Sequence, residues 1–151
     1  HLSWAAKLHE IGISVSHSGY HKHSAYIIEN ADMPGFSRSD QETLALLVLG
    51  HRGSLKKLPD SLSDEPAQWK PLMALRIAAL IYRSRRQIKP PPIGLTAKKQ
   101  SVEMRVDESW LDTHPLTAAA LADEMSEWKS RKLELRVTPS RHDLSRKTAA
   151  A

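Results

Sequence analysis

The chain of 151 residues contains no cysteine. That excludes disulfide frameworks, zinc–thiolate sites and cysteine nucleophiles, and it fits a cytoplasmic protein. Aromatic residues are scarce, with a single phenylalanine, and the six glycines are scattered. No glycine-rich phosphate loop can be assembled from them. The longest apolar stretches, residues 44–49 and 77–82, are too short to span a membrane. No signal peptide is visible. The first residue is His1, inside an apparent helix, so the chain is expected to be a fragment of a longer protein.

Hydrophobic residues make up 40% of the sequence, which predicts a packed core. The net charge of +5 is unevenly spread. Residues 1–51 hold 3 basic and 5 acidic residues, 82–105 hold 7 and 1, 107–128 hold none and 6, and 129–151 hold 7 and 2. Such segregation suggests a local anion-binding surface more than a uniformly basic protein, although on charge alone a set of solvated helix faces with a loose basic tail is the favoured reading.

Residues 2–12 read as the end of a helix with Gly12 as its C-cap. A second helix is predicted over 21–30, burying Tyr26, Ile27 and Ile28. A third opens at Ser39, with Glu42 completing a capping box, and runs to about His51 as a buried, central element. Residues 52–66 read as a polar loop. Pro66 or Pro71 opens a fourth helix to about Arg85, with Leu72, Leu75, Ala79 and Tyr82 on one face. Pro90-Pro91-Pro92 ends it and marks a boundary. Beyond it Val102, Met104 and Val106 alternate with polar residues, as do Leu133, Leu135 and Val137, which is strand periodicity. An amphipathic helix over 116–131 lies between. The predicted fold is mostly α: a helical domain over 1–89, a small α+β subdomain over 93–138, and a tail over 139–151.

The stretch His9-Glu10, His17, His21 and His23 places four histidines and a carboxylate within fifteen positions. Histidine and carboxylate can hold borderline divalent metals, and imidazole can hydrogen-bond phosphate oxygens. His21 to Ser24 sits at a helix start, where free N–H groups and the helix dipole favour anions. The same histidines can instead bond backbone and fix the loop. The spacing leaves both readings open.

The run LHEIGISVSHSGYHKHSAYIIENADMPGFSRSDQETLALLVLGHRG, with Trp4-Ala5-Ala6-Lys7 before it and Leu75-Arg76-Ile77-Ala78 after it, resembles the C-terminal region of the exopolyphosphatase and guanosine pentaphosphate phosphohydrolase family. The likeness covers residues 1–89 well and the α+β part more loosely. It implies an HD-like helical domain, in which His9-Glu10 stands at the His-Asp doublet with Glu replacing Asp. Ala79 and Tyr82 stand where HD enzymes tend to have a late Asp, so the HD position is degenerate and no metal ligand is expected here. In the family, hydrolysis belongs to N-terminal actin-like domains, where Mg²⁺ or another divalent metal is expected; no cofactor is expected for this fragment.

The resemblance therefore implies a non-catalytic region of an enzyme that cleaves phosphoanhydride bonds. Its expected partners are inorganic polyphosphate, its own N-terminal catalytic domains and a second copy in a homodimer. The candidate polyphosphate-binding residues are His21, Lys22, His23, Arg52, Lys56, Lys57, Arg83, Arg85 and Arg86, chosen because arginine offers a fork of donors and lysine a mobile charge. The alternatives are the same region of the guanosine pentaphosphate enzyme and, less well supported, a self-standing HD enzyme using His9, Glu10, His21 and His23. The basic clusters also raise nucleic-acid binding. No helix-turn-helix, zinc-finger spacing or aromatic RNA-binding motif supports it, and no nucleic-acid partner is expected.

Overall fold

A computed structural model describes residues 1–83 and 92–140. The chain divides into two compact units, His1–Ala79 and Leu80–Ala151. It is mostly helical with one small sheet, in agreement with the fold class read from the sequence.

The first unit holds α1 (Leu2–Leu8), α2 (Tyr20–Asn30), α3 (Arg38–Gly50) and α4 (Pro66–Ile81) through Ala79, with short 3₁₀ turns at Ile11–Ser14, Leu55–Lys57 and Asp60–Asp64. Helix α3 is central, as its apolar run requires. Leu44, Leu47 and Val48 are fully buried, and both α1 and α2 pack on it. Its start lies two residues before the predicted one. Ser37 is the N-cap: Asp40 N–H donates to Ser37 Oγ at 3.1 Å, and Ser37 N–H donates to Asp40 Oδ2 at 3.0 Å. Glu42 is left free to pair with Arg38 at 3.1 Å, one helical turn away.

Four other expectations are corrected. Helix α1 ends at Leu8, and Gly12 is not its C-cap. Gly12 is buried in the following turn, where a Cβ would lie 2.4 Å from both Ser24 N and Tyr20 O. The residue is glycine because two backbones meet there. In α2 it is Ile28, not Tyr26, that is buried; Tyr26 is 69% exposed. Residues 52–66 are not a simple polar loop, because Leu55, Leu58 and Leu62 are buried and pin it to the core. Helix α4 opens at Pro66, whose missing N–H costs nothing in a first turn. Tyr82 lies beyond its end and is exposed.

The second unit is built around β1 (Ile93–Ala97), β2 (Ser101–Asp107) and β3 (Glu134–Ser140), in the order β1-β2-β3. The tight turn after Lys98 joins β1 to β2 as an antiparallel pair. β2 and β3 are parallel, so the chain must cross back between them. It does so through α5 (Glu108–Thr113) and α6 (Pro115–Ser130). Val102, Met104 and Val106 alternate into the interior with Leu135 beside them, and α6 sends in Leu121 and Trp128. The buried Trp128 indole N–H donates to Glu124 Oε1 at 2.7 Å. Pro139 and Ser140 continue β3.

Candidate functional site

The candidate site lies in the first unit, where the start of α2 meets the end of α3. Its centre is His51, only 3% exposed. The imidazole Nδ1–H donates to Val48 O at 2.6 Å. A carbonyl can only accept, so Nε2 carries the lone pair. Tyr20 Oη stands 3.5 Å from that nitrogen, at the outer limit of a hydrogen bond. The His9 ring meets His51 edge-on with centroids 4.9 Å apart, and His21 lies 6.3 Å away at 82°. Burial is the main reason that His51 is pushed down to about 4 from 6.5; His9, His21 and Arg52 push the same way, against the Val48 hydrogen bond.

Cations gather beside these rings. The Arg52 guanidinium lies over the Tyr20 ring, 4.8 Å from its centroid. Lys57 Nζ donates to the Arg52 carbonyl. His21, on the first turn of α2, is half-buried, and its Nδ1 is a buried atom with no hydrogen-bond partner. Desolvation and then the charges of Lys57, Arg52, Lys22 and His23 push His21 down to about 4. This is a neutral imidazole facing several positive charges, with one ring nitrogen still to be satisfied.

The backbone that presents Arg52 is held from beneath. Arg76 on α4 is 5% exposed, and its guanidinium donates to Gly50 O at 2.6 Å and Gly53 O at 2.9 Å. Those carbonyls bracket His51 and Arg52. Gly53 has a φ of +72°, which an L side chain rarely adopts. On the other side, Ser24 Oγ donates to His9 O at 2.9 Å and accepts from Gly12 N–H at 2.9 Å, locking α2 to the turn after α1.

The structure brings together His21, Lys22, His23, Arg52 and Lys57. Lys56 is exposed on the same turn as Lys57. Arg83 is exposed after α4 and falls in the second unit. Arg85 and Arg86 lie outside the described residues. His9 Nδ1–H donates to Ala6 O at 2.9 Å, and His9 Nε2 stands 3.9 Å from Glu10 Oε1. No group of three or more His, Cys, Asp or Glu among the described residues is placed to hold a metal ion. The sequence reading missed His51, Tyr20 and Arg76 as parts of the site. The pair of glycines around His51-Arg52 was the one local hint, since a loop with Gly50 and Gly53 invites a close backbone approach.

The site can offer a phosphate-type anion two strong cations and a helix start. The model of the Ppx/GppA phosphatase family's domain III matches residues 1–125. A guanosine-5'-triphosphate,3'-diphosphate pyrophosphatase of Pseudoalteromonas translucida is 38% identical over 125 residues, which are 82% of this chain and 25% of that protein. A protein of the same name from Vibrio atlanticus is 35% identical over 124 residues, again 82% of this chain and 25% of the relative. The chain thus spans about a quarter of the length of the curated relatives it matches.

Proposed function

The chain belongs to the Ppx/GppA phosphatase family as its domain III, and on that premise we propose that it is a non-catalytic anion-holding module of a phosphoanhydride hydrolase. The ligand class is a run of linked phosphates. Inorganic polyphosphate offers one, and so does the guanosine-5'-triphosphate,3'-diphosphate in the names of the similar proteins. The observation that carries this reading is the convergence of Arg52, Lys57 and Lys22 on His21, whose buried Nδ1 has no partner. Like charges brought together repel one another, and a polyanion relieves that repulsion while releasing counterions.

In this reading His9 and Glu10 are structural. They close α1 and, through Ser24, fix α2, so that the first turn of α2 faces Arg52. Cleavage, and the Mg²⁺ or other divalent metal it uses, belong to further domains of the parent protein. The same reading assigns a homodimer contact to the second unit, supported by the edge position of β1 in the sheet of the described residues and by Leu95, which is 45% exposed. Sedimentation that shows only monomer at high concentration would remove that part.

The test of the anion site is titration with long-chain polyphosphate and, separately, with the guanosine nucleotide, each at two salt concentrations. Phosphate release is followed in parallel with Mg²⁺ or Mn²⁺. Salt-sensitive binding without release is expected, and the tighter ligand identifies the anion source. Arg52→Ala and Lys57→Ala should each weaken binding and lower the salt slope by about one counterion. Metal-dependent phosphate release from the chain itself would overturn the non-catalytic assignment.

A further inference from the structure

Among the described residues, the charges that shift His21 are positive or can become so. From its own helix come Lys22 and His23, with the Tyr20 ring 6.2 Å away and edge-on. From the segment after α3 come Arg52 and Lys57, with the His51 ring 6.3 Å away. His9, at the end of α1, reaches this group through His51. His21 is the one imidazole of the cluster that combines a half-buried ring with a buried nitrogen lacking a partner.

We propose that phosphate-type anion binding at this cluster is coupled to proton uptake by His21, so that the site tightens as the pH falls below neutrality. The proposal rests on the anion-binding reading given above. In the empty site the surrounding cations oppose a further positive charge, and His21 stays neutral down to about 4. An anion seated among Arg52, Lys57 and Lys22 cancels that repulsion and supplies an acceptor for an imidazolium N–H. The desolvation of the ring remains, but the electrostatic part reverses sign. The midpoint of His21 then rises from about 4 toward its ordinary value of 6.5.

The sign follows from linkage. A group that binds its proton more tightly in the complex takes one up on binding, and the proton strengthens the anion by the same factor. Affinity is level above the midpoint of the complex. It increases as pH falls through the interval between the two midpoints, by up to about tenfold per pH unit for one proton. It levels again below about 4, where the empty site is protonated as well.

Calorimetric titration with long-chain polyphosphate tests this, because its interior phosphates do not titrate near neutrality. Run near pH 6 in two buffers with different ionisation heats, it reads the protons taken up per bound site. Uptake by the unaltered chain and its loss in His21→Gln is the expected result. The midpoint of the His21 ring resonances, followed by NMR with and without polyphosphate, gives the same answer without a substitution. Binding with no uptake, or a His21 midpoint that stays near 4 in the complex, overturns the coupling and leaves the anion site standing. Undiminished uptake in His21→Gln places the proton elsewhere and overturns the assignment to His21. Absence of binding at every pH overturns both the coupling and the anion site.

Discussion

Acidification should loosen the first unit through His51. The ring is 3% exposed, its Nδ1–H is committed to Val48 O at 2.6 Å, and the edge of His9 is packed against it. In the unfolded chain it titrates at 6.5; in the fold it is held down to about 4. Between those values the unfolded state binds a proton that the folded state refuses. Stability from this residue is therefore full above pH 6.5 and is lost as pH falls toward 4. Each pH unit in that interval costs about 1.4 kcal/mol, so the whole interval is worth on the order of 3 kcal/mol. His21 acts in the same direction, but it is half-exposed and its share is reduced by solvent.

A loss of that size is a substantial part of the stability of an ordinary domain. Urea titrations followed on the backbone amide resonances of α3 read this unit alone. Between pH 7 and pH 5 the free energy should fall by about 2 kcal/mol. His51→Asn can keep a side-chain N–H near Val48 O while removing the titrating ring. It should be less stable at pH 7, because it loses packing against His9 and Tyr20, but its stability should vary much less with pH. Equal stability of the unaltered protein at pH 7 and pH 5, or an undiminished pH dependence in His51→Asn, would refute the argument.

Three further outcomes are expected. Gly12→Ala should destabilise the first unit by about 3 kcal/mol or more, since the new Cβ meets backbone atoms at 2.4 Å and backbone cannot step aside; a urea midpoint near that of the unaltered chain would contradict it. Arg76→Leu removes a charged donor from two carbonyls and should cost about 3 kcal/mol, with polyphosphate affinity falling because Arg52 is less well held; Arg76→Lys should recover part of both in paired denaturation and binding measurements. Lys132 has a φ of +60° at the end of α6, where Leu133 N–H donates to Trp128 O and Lys132 N–H to Lys129 O. That is a Schellman arrangement with lysine in the place of glycine, so Lys132→Gly should raise the stability of the second unit by about 0.5–1 kcal/mol in thermal unfolding, and Lys132→Ala should not.

Periodicity was a good guide wherever one residue's environment follows from its immediate neighbours. The apolar run in α3 and the alternation in β2 and β3 declared buried elements, and those elements formed. The start of α3 was harder, because Ser37 with Asp40 and Ser39 with Glu42 offer the same local pattern. The choice is made from outside the helix: Gln41 donates to Ile28 O at 3.1 Å and to Ala31 O at 2.9 Å, and Arg38 reaches back to Glu29 O. Gly12 is set by a distant contact in the same way. A glycine after a helix suggests a cap, whereas its actual cause, the backbone of α2, lies twelve residues away in Ser24. The loop over 52–66 looked polar because its three buried leucines follow no single period.

The candidate site shows how far charge can be read without contacts. Arg52, Lys57, Lys22 and His21 were all visible as cations or near-cations, and their order along the chain placed them on two separate elements. What the sequence left open was which of them converge, and that depends on a residue without a surface role. Arg76 is buried, carries a full charge, and spends two of its donors on the carbonyls around His51 and Arg52. A buried guanidinium is costly unless its donors are used, so its position in the core of α4 makes sense as a device that fixes the loop. The clamp of Arg52 on Tyr20 then becomes a consequence of that loop geometry. Surface lysines alone would make a diffuse basic face; a loop pinned by Arg76 and packed on His51 makes a fixed one, and only a fixed array of cations can hold the phosphates of an extended anion in a defined register.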